Sequence, residues 1–375
     1  MEIQRKPPRD RGSMKKGDCD TMKKFLALIL TLAMALSLAA CGGTDQPADN
    51  TGDEAPATDS AGTGSEVEEL TINLYNPVAG TVTDNSYTLF AERVSELSGG
   101  KITCNITPAG TLGAEREATQ LLMMGDIDMG VFSIDGLEWL VPNVGMYWVS
   151  LPGLLNSFEE VDEYYNNGWM FQRHKEVAAE NSIDLICPGE FGIKVFLGTG
   201  EPIRTMEDFK GKVIRIPDID MNHDYISALG AMPVSGIDMY TGLQQGTMDA
   251  VHNNIPASEL FKLDEVIDWM TLTWDMYGTN YWVANGDFTA SLSDAQREII
   301  YTAAEEAAQY IRDEYRKSTD AWVQKCRDNP DIEVIDIDDE MKQQMLEVSY
   351  SIWEMYRDKF DPVAMERIFE EFYPA

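Results

Sequence analysis

The sequence predicts an α/β protein built from two similar halves with mainly parallel sheets. Short apolar strands alternate with amphipathic helices from residue 70 onward, a pattern typical of strands that are joined by crossover helices. The same pattern starts again at residue 212, which indicates a second half. A helical stripe of apolar residues from about residue 293 onward predicts a third, mostly helical part.

The first half begins with a strand over residues 70–75, in which polar and apolar side chains alternate. A helix is predicted over residues 85–98, because apolar residues recur there at three- and four-residue spacing and two glycines can end it. Three further elements are predicted in this half: a strand over 101–106, a helix near 114–124 and a short strand near 127–132.

The second half is predicted to begin with a strand over 212–217 and a helix over 221–229 that ends at Gly230. Residues 67–375 contain no second linker, although they are about twice as long as a typical domain of roughly 150 residues. We therefore expect two lobes that share segments of the chain.

A long helix is predicted to begin after Ser293. This serine is a good N-cap, and Gln296 three positions later completes a capping box. No proline follows until Pro330, so the helix is expected to have about 33 residues and a length of about 50 Å. The alternative is two packed helices with a break near Ser318.

The N-terminal forty residues have the pattern of a secretory signal. Residues 1–24 carry eight basic side chains, and an apolar run of 16 residues follows at 25–40. This run is shorter than the roughly 20 residues that cross a membrane, but it fits the apolar core of a signal peptide. The small residues before Cys41 resemble a bacterial lipobox, which predicts a diacylglyceryl group on the Cys41 thiol. An ordinary signal peptidase site is the alternative, and translation can start at Met1 or Met22.

Residues 41–66 predict a flexible acidic tether behind the lipid, because they lack large apolar side chains and are rich in Gly, Ala, Pro, Thr and Asp. The remaining cysteines, Cys104, Cys187 and Cys326, show no paired spacing. An obligatory disulfide framework is therefore not expected.

The charge of the chain excludes several classes of partner. The formal net charge is −35, and so large an excess of carboxylates repels the phosphates of nucleic acids. It also disfavours adsorption to anionic lipid, so that membrane attachment requires a covalent lipid or an inserted segment. Residues 1–40 carry eight bases and four acids, so their removal deepens the charge to −39.

The sequence carries no catalytic signature that we recognise. Its three histidines are far apart and lack zinc spacing, and neither a nucleophile elbow nor a phosphate-binding loop is present. Acidic residues alternate from Asp218 to Asp224 as in a calcium loop, but His223 and Leu229 stand where the loop needs glycine and glutamate. We expect neither an enzyme nor a bound cofactor or metal.

Arg215 is the most informative single residue. It lies among apolar residues in the predicted strand at 212–217, near the end of that strand. Ligands of open α/β sheets bind at the carboxyl ends of strands, and a guanidinium group matches a carboxylate with two parallel hydrogen bonds. An anion-binding role is one interpretation; an internal ion pair with one of the many carboxylates is the other.

Several motifs stand in an order and at a spacing that resemble one known family. In chain order they are Ser98-Gly99-Gly100-Lys101-Ile102, Gly110-Thr111-Leu112-Gly113, Gly125-Asp126-Ile127-Asp128, Leu151-Pro152-Gly153, the stretches 209–217 and 228–233, and Leu292-Ser293-Asp294-Ala295-Gln296. The chain thereby resembles the solute-binding proteins of TRAP transporters (tripartite ATP-independent periplasmic carriers), of the dicarboxylate-receptor type and in lipoprotein form. The resemblance spans nearly all of 70–375.

The resemblance implies a periplasmic-binding-protein clamshell with two lobes, a long lobe-bridging helix and C-terminal helices. Lobe 1 would comprise residues 67–191 and about 281–320. Lobe 2 would comprise residues 192–280 and about 321–375.

The resemblance also implies which residues contact a ligand. Arg215 matches the arginine that forms a salt bridge with the ligand carboxylate in this family, and Asn253 matches an asparagine beside it. Lys194 stands where the family often has a second arginine. Lysine keeps the charge but lacks the bidentate fork, so the number of carboxylates recognised stays open.

Five further positions follow from the family pattern. Asn76, Glu115 and Ser133 are the candidates from the first lobe, with a purely structural role as an equal alternative for each. Asp275 stands where the family often has a histidine, and Trp274 lies beside it. These and other departures around the expected pocket, such as His252 in place of a glutamate, argue against a simple four-carbon dicarboxylate as the ligand.

The sequence thus predicts an extracytoplasmic receptor, anchored by lipid on Cys41, that binds a small organic acid. The resemblance implies as partners a small and a large integral membrane subunit of a permease driven by an ion gradient. A receptor of an ATP-driven importer, an anchored hydrolase and an adhesive lipoprotein are the alternatives. The sequence names neither the ligand nor the oligomeric state.

Overall fold

A computed structural model of the chain describes residues 67–76, 80–108, 110–113, 115–140 and 145–374. The predicted signal peptide at 1–40, the lipidated Cys41 and the tether at 41–66 lie outside these residues. Among the residues described, none of the helices combines the length and apolarity that crossing a membrane requires.

The described strands occur along the whole length of the globular part. They are β1 (Leu70–Tyr75), β2 (Ile102–Thr107), β3 (Met129–Ser133), β4 (Ile183–Pro188), β5 (Gly192–Gly198), β6 (Val213–Arg215), β7 (Met232–Val234), β8 (Ala250–Asn254), β9 (Trp269–Leu272), β10 (Tyr277–Gly278), β11 (Asn280–Asn285) and β12 (Glu333–Asp336).

The α-helices alternate with the strands in the first two thirds and dominate the last third. They are α1 (Thr81–Leu97), α2 (Glu115–Met124), α3 (Ile134–Leu140), α4 (Phe158–Glu160), α5 (Trp169–Ala179), α6 (Asp220–Ala228), α7 (Met239–Gln245), α8 (Ile255–Leu260), α9 (Gly286–Ser291), α10 (Asp294–Asp328), α11 (Asp339–Tyr356) and α12 (Pro362–Phe372). Short 3-10 helices cover Tyr147–Ser150, Met206–Phe209 and Leu263–Glu265, and Val161–Asn166 form a π-helical turn.

The strands form two sheets. The first has five strands in the order β2-β1-β3-β11-β4; the second has seven, in the order β12-β9-β5-β8-β6-β7 with β10 paired to β5. The predicted α/β class with two halves is confirmed. The predicted strands and helices all occur, with boundaries that differ from the sequence interpretation by a few residues at most.

The prediction of mainly parallel sheets is wrong, because both sheets are mixed. Strand β11 is antiparallel to β3 and β4, and β5 is antiparallel to β8, β9 and β10. Both β5 and β11 directly follow a strand of the other sheet, since β5 comes soon after β4 and β11 soon after β10. Neither has the preceding crossover helix that a parallel neighbour requires.

The long helix α10 is unbroken through Ser318, so the alternative of two helices is wrong. Its 35 residues begin at the Ser293 cap, where the predicted capping box with Gln296 is formed. Apolar side chains in its first half, such as Ile300, join the core of the first sheet. Trp322, near its end, joins the core of the second sheet. One helix therefore contributes to both cores.

Candidate ligand-binding site

Arg215 lies at the carboxyl end of β6, in register with Val234 of β7 and Val251 of β8. Parallel neighbours on both sides hold this short strand; β6 and β7 end together at Arg215 and Val234, whereas β8 continues beyond Val251. The guanidinium group therefore lies at the carboxyl end of its strand, where ligands of open α/β sheets bind. Its Nε is buried and has no hydrogen-bond partner among the described residues. Burial lowers the pKa of Arg215, and the carboxylates of Asp135 and Asp238 oppose that shift.

Lys194 is the second cation of this region and is almost completely buried, with 4% of its surface exposed. It lies in β5, directly opposite Asn254 of β8. Its ammonium group donates to the Met276 sulfur at 3.4 Å, which is a weak acceptor. Burial lowers the pKa of Lys194, while Asp135 and Asp275 raise it and Arg215 lowers it further.

Asn253 and Asn254 end β8, immediately before α8. The amide nitrogen of Asn253 lies 3.3 Å from the Ser258 hydroxyl. The amide oxygen of Asn254 is buried and has no hydrogen-bond partner among the described residues. Both asparagines are therefore positioned by the end of a central strand.

A small cavity of about 30 Å³ joins these groups at the junction of the two sheets. Its polar lining comprises Ser133, Asp135, Tyr147, Lys194, Asn253, Asn254 and Thr279. Arg215 is not part of the lining, but Pro217, two residues farther on, is. The structure thus brings together three of the predicted site residues, with Arg215 next to them.

Glu115 and Ser133 are hydrogen-bonded to each other. The Glu115 carboxylate accepts hydrogen bonds from the Ser133 backbone N–H at 2.5 Å and from the Ser133 hydroxyl at 2.9 Å. Burial raises the pKa of Glu115 to about 7, against the opposing effect of these bonds. Ser133 also accepts from the Gly136 N–H at 3.0 Å. This arrangement fixes the turn between β3 and α3, and only Ser133 reaches the cavity.

Asn76 is buried near the end of β1. Its amide nitrogen donates to the Asp84 carboxylate at 2.6 Å. The structure does not bring Asn76 into the lining of the cavity, because its side chain is directed to the start of α1.

Trp274 and Asp275 are not brought into this cavity either. Asp275 accepts hydrogen bonds from the Tyr225 hydroxyl at 2.8 Å and the Thr273 hydroxyl at 2.7 Å, and it lies 3.1 Å from His252 Nε2. Burial raises its pKa, but His252 and the hydroxyl donors outweigh that effect and the pKa of Asp275 is lowered overall. Its oxygens are therefore occupied by protein donors.

Trp274 and Asp275 instead line a larger cavity of about 380 Å³ beside α11. The only cation in that lining is Lys342, whose exposed ammonium group lies 3.4 Å from Asp339. A carboxylate there would meet no buried cation. The smaller cavity beside Lys194 and Arg215 is therefore the better candidate for an anion.

The sequence interpretation missed Asp135 and Tyr147. Asp135 is the second residue of α3 and follows the carboxyl end of β3. Tyr147 accepts a hydrogen bond from Asn222 at 3.3 Å, and burial together with the Asp135 carboxylate raises its pKa well above the usual range. Arg215 was selected because ligands bind at the carboxyl ends of strands, and the same rule could have selected Asp135. No sequence signal pointed to Tyr147.

Comparison with known sequences identifies a family. The profile of the family DctP, described as bacterial extracellular solute-binding protein, family 7, matches residues 75–359. The uncharacterized protein YiiZ of Salmonella typhimurium is 33% identical over 50% of this chain and 56% of its own length. The sialic acid-binding periplasmic protein SiaP of Vibrio cholerae is 23% identical over 76% of this chain and 84% of its own.

A solved structure has the same fold. The TRAP periplasmic solute-binding protein of Sulfitobacter sp. NAS-14.1, crystallised with bound β-D-galacturonate, superposes with a TM-score of 0.72. It is 25% identical, and the match covers 81% of this chain and 100% of the crystallised one. The clamshell with a long helix, implied by the sequence resemblance, is thereby confirmed.

Proposed function

This chain belongs to the bacterial extracellular solute-binding proteins of family 7, and on that premise we propose that it captures a small organic acid outside the cell and delivers it to a TRAP permease. Its family consists of receptors and not of enzymes. The delivery step would involve the small and large membrane subunits of the permease.

One observation carries the assignment of the ligand as an acid. Two cations, the buried Lys194 and the partly buried Arg215, lie beside one cavity, and neither has a carboxylate hydrogen-bonded to it among the described residues. A buried cation without a partner is costly, by about 3–5 kcal/mol where measured in other proteins. A ligand carboxylate would relieve that cost with charge-assisted hydrogen bonds.

The relatives support a carboxylate ligand. The Vibrio protein is named for sialic acid and the Sulfitobacter protein was crystallised with galacturonate, and both compounds are acids that also carry hydroxyl groups. Asn253 beside the cations can donate to or accept from either group.

Capture is proposed to proceed by closure of two lobes. A cavity of about 30 Å³ has the volume of about one water molecule in the liquid, so an organic acid enters only when the lobes separate. The ligand would then stabilise the closed form by its differential affinity for that form. We assign residues 67–191 and about 281–320 to lobe 1 and the rest of 192–375 to lobe 2, an assignment supported by the three passages of the chain between the sheets, from β4 to β5, from β10 to β11 and from β11 to β12.

We further propose that Cys41 carries the lipid that holds the receptor on the outer face of the bacterial cell membrane. The support is the apolar run followed by small residues before Cys41. Two or more acyl chains give stable anchoring, whereas one chain is marginal. Intact-mass analysis of the mature chain tests this proposal, and an unmodified N-terminus elsewhere than Cys41 would contradict it.

A thermal-shift screen of hydroxy acids, sugar acids, keto acids and dicarboxylates tests the function. A cognate acid at 100 times its dissociation constant should stabilise the wild type by about 2.7 kcal/mol, and Arg215→Ala should remove most of this effect. Arg204→Ala is a matched control, since Arg204 is exposed and paired with Glu333. The proposal is wrong if no acid stabilises the wild type or if the stabilisation survives in Arg215→Ala.

A further inference from the structure

A carboxylate of the protein faces the two cations across the cavity. Asp135, at the start of α3, lines the cavity together with Lys194, and its charge acts on both Lys194 and Arg215. Neither cation is hydrogen-bonded to it. Any anion that enters therefore comes close to two positive groups and to one negative group, Asp135.

The groups around Asp135 are acceptors or hydroxyls. The carboxylate itself can only accept hydrogen bonds when ionised. The amide oxygen of Asn254, in the same lining, is buried and has no partner among the described residues. Tyr147 and Ser133 add hydroxyl groups; the Tyr147 hydroxyl is hydrogen-bonded to Asp135, and the Ser133 hydroxyl donates to Glu115. The remaining acceptor positions on Asp135 and the Asn254 oxygen are left for hydrogen-bond donors on a ligand.

We propose that this receptor selects monocarboxylates that carry hydroxyl groups, and that Asp135 is the residue that rejects dicarboxylates. The inference rests on the proposed function, because it concerns the far end of the ligand whose carboxylate binds at Arg215 and Lys194. Hydroxyl groups donate to Asp135 and Asn254, whereas a second carboxylate offers no donor and places two like charges together.

The balance of charge at the cavity agrees with a monoanion. Arg215 and Lys194 contribute two positive charges and Asp135 one negative charge, so a ligand of charge −1 neutralises the set. The two other carboxylates that act on these cations lie outside the lining. Asp238 caps α7 through the Thr241 N–H, and Asp275 is held by its own donors. A dicarboxylate or a zwitterion leaves a net charge.

Matched acids that differ only at the far end test this proposal. Isothermal titration calorimetry of the purified full chain would use galactonate with galactarate, gluconate with glucarate, and 4-hydroxybutyrate with succinate, and 4-aminobutyrate as the ammonium counterpart. The wild type should bind the hydroxy acid of a pair about tenfold more tightly than the diacid, or better. Asp135→Asn should lower the ratio of the affinity for the hydroxy acid to the affinity for the diacid, or bring it below one, chiefly by strengthening binding of the diacid.

Two further variants separate the charge effect from other causes. Asp135→Ser removes the same charge and keeps a residue that is suited to the start of a helix, so it should change the ratio in the same direction. Asp238→Asn removes a carboxylate that acts on Arg215 from outside the lining and keeps a side chain that can cap a helix. It should leave the ratio unchanged, and circular dichroism confirms that each variant is folded.

The possible outcomes distinguish the two proposals. A wild type that prefers the diacid or the ammonium compound, or a ratio that is unchanged in both Asp135 variants, overturns the role of Asp135 while the receptor function stands. If none of these acids binds the wild type, both the receptor function and the inference fail.

Discussion

At the scale of single residues, the site consists of two cations, Arg215 and Lys194, with no carboxylate hydrogen-bonded to them among the described residues, and of the Asp135 carboxylate near them. Arg215 could be found from the sequence because a guanidinium group within an apolar strand is costly unless an anion pairs with it. Asp135 follows the end of β3, so the same strand-end rule could have selected it among some sixty other carboxylates, but only the structure shows that it lines one cavity with Lys194. Family resemblance selected Asn253 and Lys194, but it also selected Asp275, whose oxygens are occupied by protein donors.

Glu115 makes stability depend on pH. Its pKa in the folded protein is raised to about 7, mainly by burial, so the folded state binds the proton more tightly than the unfolded chain does. The resulting stability is fully present below about pH 4.5 and is lost as the pH rises through about 7. We expect Glu115→Gln to remove this loss. Between pH 5 and 8, the free energy of unfolding of the wild type should therefore decrease by about 2 kcal/mol relative to that of the variant.

Urea unfolding at several pH values measures this difference. Glu117→Gln, a change on the exposed face of the same helix, serves as the control and should leave the pH profile of the wild type unaltered. Parallel stability curves for the wild type and Glu115→Gln would show that Glu115 does not titrate in this range.

At the scale of elements, α10 was the most predictable part of the chain. Its start could be read from the capping box at Ser293 and its length from the apolar stripe, and both agree with the structure. What the helix contacts could not be predicted, because i to i+4 spacing identifies the buried face but not the partner. The antiparallel direction of β5 and β11 could not be predicted either, because the hydrophobic pattern of a strand does not show when the chain passes from one sheet to the other.

Arg316 holds the middle of α10 to the first sheet. It forms ion pairs of 2.7 Å with both Asp162 and Glu190, and the Glu190 side chain is fully buried. Burial raises the pKa of Glu190, and Arg316 opposes that shift. Arg316→Met leaves Glu190 as a buried carboxylate without its cation, and we expect this to cost about 3–5 kcal/mol of stability.

A double variant and a neighbouring control test this role of Arg316. Adding Glu190→Gln to Arg316→Met should recover most of the lost stability, because the unpaired charge is then absent. Lys317→Met, which breaks an exposed pair with Glu314 on the same helix, should cost less than about 0.5 kcal/mol. Urea midpoints that are equal for Arg316→Met and Lys317→Met would contradict the proposal.

At the scale of the whole molecule, the sequence predicted the two-part α/β plan because hydrophobic periodicity records which segments are buried. The formal net charge follows directly from the composition. A surface with a net charge of −35 repels an anionic ligand at long range. The attraction of Arg215 and Lys194 acts only within the cleft, where salt screens charges much less than at the surface.

Because the repulsion acts at long range and the attraction only within the cleft, the rate constants of ligand binding should depend on salt in different ways. The association rate constant of a cognate acid should rise several-fold between about 10 and 300 mM NaCl, because the Debye length falls from about 30 Å to below 10 Å and the repulsive field is screened. The dissociation rate constant should change less, since the ion pairs that hold the ligand are buried. Stopped-flow tryptophan fluorescence, with eight tryptophans as reporters, measures both constants, and sucrose at matched osmolarity serves as the control. An association rate constant that falls with added salt would mean that the cations at the cleft, and not the acidic surface, govern the approach of the ligand.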